Sequence, residues 1–264
     1  MNSELSYANQ NDPSSDPSVP VVPPKSFFSR LSGIYFSPGE TFQEIGRAPK
    51  LALPIIALAL LTLITTMVIL QRIPMEKASN DRIEQMVAEN KITEEQAEQQ
   101  REFMRKLGPV FKYVIPVVAA IFVVLMVLAF AGIAKLISSM MGIENSYAPL
   151  LAATVYATLA VSLVGAVVAT ILVYIQPVEE INAENPVATN LGAILPLIGV
   201  TGLPKFVSTF LSYVDIFFIW KVALMGIGYA AVSRKLKSST AITYVAVVSI
   251  FIALIHSTWS AIFG

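Results

Sequence analysis

The chain has no cysteine and a single histidine, His256. Without cysteine there is no disulfide framework, no thiolate metal site and no thiol nucleophile. One histidine cannot supply the H-E-x-x-H pair of a membrane zinc protease. No G-x-S-x-G elbow accompanies it, and beside Trp259 near the end of the last apolar run it reads as an interfacial hydrogen-bonding residue. Asp215 is the only acid within an apolar run, so an intramembrane aspartyl dyad lacks its second carboxylate. Charge is scarce as well: 14% of residues are charged, against about 25% in soluble proteins. Lys and Arg together number 18, as do Asp and Glu, which leaves no net field to attract nucleic acid. The expectation is a protein that is not an enzyme, with no cofactor, no metal and no nucleic-acid partner.

The first 24 residues hold five Pro and three acids but no Lys or Arg. They lack the basic start and apolar middle of a cleavable signal. Residues 1–25 are expected to form a disordered cytoplasmic tail, because they cannot bury enough apolar surface to fold. No period of 20 to 50 residues recurs, which removes solenoids and propellers.

What is abundant is apolar length: 55% of residues are hydrophobic. Crossing about 30 Å of hydrocarbon takes about 20 apolar residues, and uncharged windows near that length lie at residues 53–70, 113–134, 149–175 and 241–262. Lys135 can snorkel from the end of the second, extending that span to about residue 137. Residues 206–233 hold Asp215 and Lys221 and divide into a short interfacial helix over 203–213 and a span over 216–233. In residues 185–204, six of twenty are Gly or Pro, so this stretch is expected to be a loop or a shallow re-entrant piece. The fold class is therefore an all-α membrane protein: a five-transmembrane-helix bundle over residues 26–264, with the lipid bilayer as its first partner.

Neighbouring loops orient the bundle, since basic residues near span ends stay cytoplasmic. The loop after the third span has Glu179, Glu180 and Glu184 and no base, whereas residues 233–240 have Arg234, Lys235 and Lys237 and no acid. This predicts a cytoplasmic amino terminus and an external carboxyl terminus, with Lys25, Arg30, Arg47 and Lys50 in agreement. Residues 71–112 hold eight bases and eight acids yet fall outside, which requires their charges to be paired in a folded segment. They read as a helical hairpin over 79–107: one helix carrying Ile83, Met86 and Val87, and a second started by a Thr93/Gln96 capping box and stopped at Gly108-Pro109.

Two intramembrane charges are candidate functional groups. Asp215 is expected to cap the start of its helix at the membrane boundary, and Lys221 to snorkel outward past Trp220. Their spacing of six puts them on different helix faces, so they are not expected to meet. Ahead of the first span, Ser37 reads as a helix cap, Pro38 as the first helical residue and Glu40 as the capping-box acid. Phe42 and Ile45 are expected to dip into the lipid interface, behind a second stripe of Phe27, Phe28, Leu31, Ile34 and Tyr35, as an amphipathic collar lying along the bilayer.

"SPGETF" (residues 37–42), "DIFFIWKVALMGIG" (residues 215–228) and "SRKLKSSTA" (residues 233–241) resemble the bacterial branch of the Yip-domain family of Ypt-interacting-protein-like membrane proteins. The D-x-F-x-x-W pattern of Asp215, Phe217 and Trp220 is the most specific part. The resemblance covers about residues 27–262. It implies a five-span bundle with a cytoplasmic amino terminus, in a bacterial inner membrane. Many members follow a Tyr in the third span with Pro four residues on; here Tyr156 is followed by Ala160. Eukaryotic members are linked to vesicle traffic and Rab-type small GTPases, although no GTPase-binding motif marks this chain. The functional expectation is a scaffold or adaptor whose partners are membrane proteins, cytoplasmic proteins or a second copy of itself. The rival is a small transporter or channel subunit with a site near Asp215 and Lys221.

Overall fold

The computed structural model describes residues 25–178, 181, 186–187, 189–233 and 235–263. Residues 1–24 of the tail expected over residues 1–25 lie outside them, as do Glu179, Glu180, Glu184 and Arg234 of the charge argument. Among the described residues there are ten helices and no strand.

Helices α1 (Phe27–Phe36) and α2 (Pro38–Arg47) precede α3 (Ala52–Leu70). Helix α4 (Met75–Ala88) folds back on α5 (Glu94–Met140), which leads to α6 (Tyr147–Ile175). Two short helices, α7 (Leu191–Leu197) and α8 (Lys205–Leu211), come before α9 (Ile216–Val232) and α10 (Ser238–Phe263). Helices α3, α5, α6 and α10 are long and apolar enough to cross a membrane, and α9 is a shorter apolar helix of 17 residues.

Helix α6 is the mast of the bundle, contacted by α1, α2, α3, α5 and α9. All twelve residues from Leu150 to Val161 are buried, so this half is enclosed on every face rather than amphipathic. Small side chains permit the enclosure. Ala152, Ala153, Ala157 and Ala160 all lie in the main core with Phe42, Met225 and Tyr229, the close helix approach that small residues allow in membranes. A buried hydrogen bond ties α6 to α9, with the Thr154 and Tyr229 hydroxyls 2.6 Å apart.

The chain alternates between the two ends of the bundle. At one end Arg72 donates to the Gln176 carbonyl at 2.9 Å and Tyr174 reaches the Val68 carbonyl, joining the ends of α3 and α6. At the other end a Cβ on Gly46 would touch Val232, which joins the end of α2 to the end of α9.

Three expectations need correction. Pro109 does not stop a helix: α5 runs unbroken for 47 residues with Pro109 and Pro116 inside it, about 70 Å at 1.5 Å per residue. Each proline removes one bond to the carbonyl four residues earlier. Those carbonyls belong to Arg105 and Lys112, in the charged stretch ahead of the apolar run. The capping box that opens α5 is present, with Gln96 N 3.2 Å from Thr93 Oγ1 and Thr93 N 2.9 Å from Gln96 Oε1.

The capping box at Ser37 is absent. Pro38 is the first helical residue and Glu40 lies in the first turn, but the Ser37 side chain makes no cap bond. The Ser37 backbone N–H is already donated to the Gly33 carbonyl at 2.8 Å, closing α1. One residue thus ends a helix and begins the next, and Glu40 has no free N–H to reach back for.

The third correction concerns the collar. Phe42 and Ile45 are 0% exposed, and they belong to the core cluster of α6 and α9 instead of dipping into lipid. Helices α1 and α2 wedge against the bundle because each has a face to bury there. The large apolar side chains left outward on α1 are Phe28 and Phe36.

Candidate functional site

Polar side chains from three helices converge on an open groove of about 450 Å³ with α6 as its floor. Helix α3 supplies Thr62, Thr65 and Thr66, α6 supplies Thr158 and Ser162, and the start of α9 supplies Asp215 and Lys221. Walls α3 and α9 both pack on α6 without substantial contact with each other, so the groove opens sideways between them.

Asp215 has an extended backbone (φ −135°, ψ 142°) and caps α9, accepting from the Phe217 N–H at 2.6 Å. Its other carboxylate oxygen accepts from the Thr189 hydroxyl. The adjoining strand-like bridge to Asn190 ties this cap to the start of α7. The expected capping geometry is therefore observed, and it stabilises the helix start by bonding an otherwise orphaned N–H.

Lys221 and Asp215 nevertheless share the groove, contrary to the different faces inferred from their spacing. The spacing rule holds between two helical residues, and the cap residue, off the helical path, is not one. Lys221 Nζ lies 5.7 Å from the centre of the Phe218 ring, within cation–π range. It forms no ion pair among the described residues. Phe217 seats its ring on the floor in van der Waals contact with the position of Gly165.

The remaining singled-out residues lie elsewhere. Trp220 turns away from the groove and packs on Tyr35, ring centres 6.0 Å apart. The Tyr35 hydroxyl donates to the Ala160 carbonyl at 2.7 Å, and burial raises its pKa above the ordinary phenol value. Phe42 lies against Gly228, where a Cβ would come within 3.3 Å of its ring. Tyr156 is buried on α6 between Phe27 and the Arg30 guanidinium. Ser37, Pro38 and Glu40 form the α1–α2 junction and face neither cavity. His256 is exposed, its ring edge-on to Tyr213 at 5.8 Å, and it does not line the groove.

Two groups escaped sequence reasoning. The threonines of α3 sit in an apolar run where isolated hydroxyls carry no signal, although their spacing of three and four places Thr62, Thr65 and Thr66 on one side. Arg30 is the other: inside the stripe FFSRLSGIYF it was read as a flanking charge, yet it is 1% exposed.

A family model, the Yip1 domain, matches residues 32–260. No curated protein and no solved structure matches the chain. The match spans most of the sequence, and the chain belongs to the Yip1 domain family.

Proposed function

We propose that this Yip1-family membrane protein organises partners in the bilayer as a scaffold or adaptor, engaging them through the groove between α3 and α9. The observation that carries this reading is the groove itself: hydroxyls, one carboxylate and one ammonium facing a lateral opening. A partner helix bearing a polar side chain enters from the membrane and exchanges lipid for hydrogen bonds. Photo-crosslinking from positions 65 and 166 is expected to capture a second membrane protein or a second copy of the chain. Adducts with lipid alone would remove the scaffold reading.

The same groove favours one rival. An intramembrane ammonium with no ion pair is what a site for an anionic solute uses. Liposomes holding the purified protein are expected to show no solute flux; flux that Asp215→Asn or Lys221→Gln abolishes makes the protein a transporter.

Five spans, α3, α5 from about residue 113, α6, α9 and α10, complete the reading, with α9 about 26 Å long. The amino terminus is cytoplasmic in a bacterial inner membrane. This is supported by Arg47, Lys50, Lys235 and Lys237, which flank helix ends at the α2–α9 end of the bundle. In the external hairpin Lys106 pairs with Glu102 at 2.7 Å and Arg101 with Glu98 at 3.4 Å, consistent with a folded segment escaping the positive-inside rule. Labelling of a cysteine at position 85 from the cytoplasmic side overturns the orientation.

A further inference from the structure

At the end of the bundle opposite the groove, α1 begins beside the first turn of α3, and between them lies a cavity of about 210 Å³. Lys25, Arg30 and Lys50 line it, together with Phe27, Leu53 and Tyr156. The buried Arg30 side chain fixes its position through two bonds: Nε lies 3.3 Å from Glu44 Oε1 and Nη1 donates to the Ala48 carbonyl at 2.9 Å. Its third nitrogen, Nη2, is buried and makes no hydrogen bond of its own among the described residues, while the Tyr156 hydroxyl lies beside the same guanidinium. An N–H left unbonded in that way is costly, and for a charged group more so. Lys25 shares Glu44 at 3.3 Å, whereas Lys50 has no ion pair among the described residues. Among the described residues three cations thus face one carboxylate, an excess of two positive charges. The amino terminus of α1 opens onto the same space and adds the positive end of its dipole.

We propose that this cavity binds a phosphate group, that of an anionic phospholipid headgroup. Arginine presents planar paired donors suited to phosphate oxygens, and here the free Nη2 is held in place by the bonds on Nε and Nη1. Lysine supplies a mobile point charge from the rim. The cavity holds about seven waters at about 30 Å³ each, room for a phosphate with part of its glycerol. Leu53 and Phe27 give the cavity an apolar wall where α3 starts its apolar run, so a lipid bound by its headgroup keeps its chains against the bundle. The bound lipid would join α1 to α3 and hold the wedge of α1 and α2 in place. Neither the groove nor the scaffold reading is needed for this site.

The test is thermal unfolding of the full-length protein in detergent, with added phosphatidylglycerol, phosphatidylcholine or inorganic phosphate. Phosphatidylglycerol is expected to raise Tm beyond an equal amount of phosphatidylcholine. Lys50→Gln, at an exposed side chain with no bond to lose, is expected to weaken the response about tenfold in lipid concentration, the loss of one charge-assisted contact. Lys237→Gln, an exposed lysine elsewhere, should leave it unchanged. Arg30→Gln should abolish the response, and Lys50→Gln carries the test if that variant fails to fold. If inorganic phosphate alone reproduces the shift and Lys50→Gln removes it, the phosphate site stands and its occupant is the soluble ion. Equal responses to both lipids without a phosphate response, or a Lys50→Gln response equal to wild type, overturn the proposal.

Discussion

Gly226→Ala tests the packing of α9 on α10 with one methyl group. A Cβ built at Gly226 would stand 2.6 Å from the Cα and 2.8 Å from the backbone N of Ile242, besides 2.4 Å from its side chain. The side chain can rotate away, but the backbone cannot, so α9 and α10 must separate by roughly 1 Å to restore van der Waals distance. Overpacking of this kind costs about 1 to 3 kcal/mol. Alanine returns up to about 1 kcal/mol of helix propensity, which leaves a net loss of up to about 2 kcal/mol. Gly132 on α5 supplies the control, since a Cβ there meets nothing within 4 Å and Ala should gain up to about 1 kcal/mol. At about 2 to 4 °C per kcal/mol for a chain of this size, Tm in detergent should fall for Gly226→Ala and rise for Gly132→Ala. A Gly226→Ala protein as stable as wild type, or movement of both variants in the same direction, refutes the backbone-contact argument.

Tyr229→Phe removes the hydroxyl 2.6 Å from Thr154 Oγ1, which itself donates to the Leu150 carbonyl; a loss of about 1 kcal/mol is expected, and a Thr154→Val/Tyr229→Phe cycle should show coupling of at least about 0.5 kcal/mol. Asp215→Asn keeps a capping oxygen and should hold stability near wild type, whereas Asp215→Ala should cost about 0.5 to 2 kcal/mol, both read by thermal unfolding. Thr93→Ala removes the side-chain acceptor of the capping box that opens α5 and leaves the backbone N–H bond to Gln96, and hydrogen exchange in the first turn of that helix should accelerate by about fivefold to tenfold, the equivalent of about 1 kcal/mol.

The apolar helices were legible because length and lack of charge are read directly from residues, and the placement of α3, α6 and α10 follows within a few residues. Helix joins were less legible. Gly108-Pro109 carries a stop signal that fails because a proline costs one hydrogen bond, which the rest of a 47-residue helix outweighs. Ser37-Pro38-Gly39-Glu40 carries a start signal whose cap bond is missing, since the Ser37 N–H was already committed to α1, a competition no short motif records. The burial of Arg30 was illegible for a related reason: its partners, Glu44 and the Ala48 carbonyl, come from the next helix, and only the fold of α1 on α2 brings them near. Asp215 and Lys221 show the converse, with the cap foreseen and the shared groove missed because helical spacing was applied to a residue outside the helix.

The D-x-F-x-x-W pattern can now be read physically. Asp215 fixes the start of α9 and faces the groove, Phe217 lies over Gly165 on its floor, and Trp220 turns to Tyr35 on α1. One short stretch therefore touches both halves of the molecule: the groove, where α6 is partly uncovered from Ser162 onward, and the wedge of α1 and α2, which helps enclose α6 below that point. Because Tyr35 is held on the Ala160 carbonyl, a shift of α9 that widens the groove at Asp215 must also slide Trp220 against α1. The two aromatic rings and not the carboxylate carry this contact, so Trp220→Ala should loosen α1 against α9, read as faster hydrogen exchange in α1, while leaving the Asp215 cap intact.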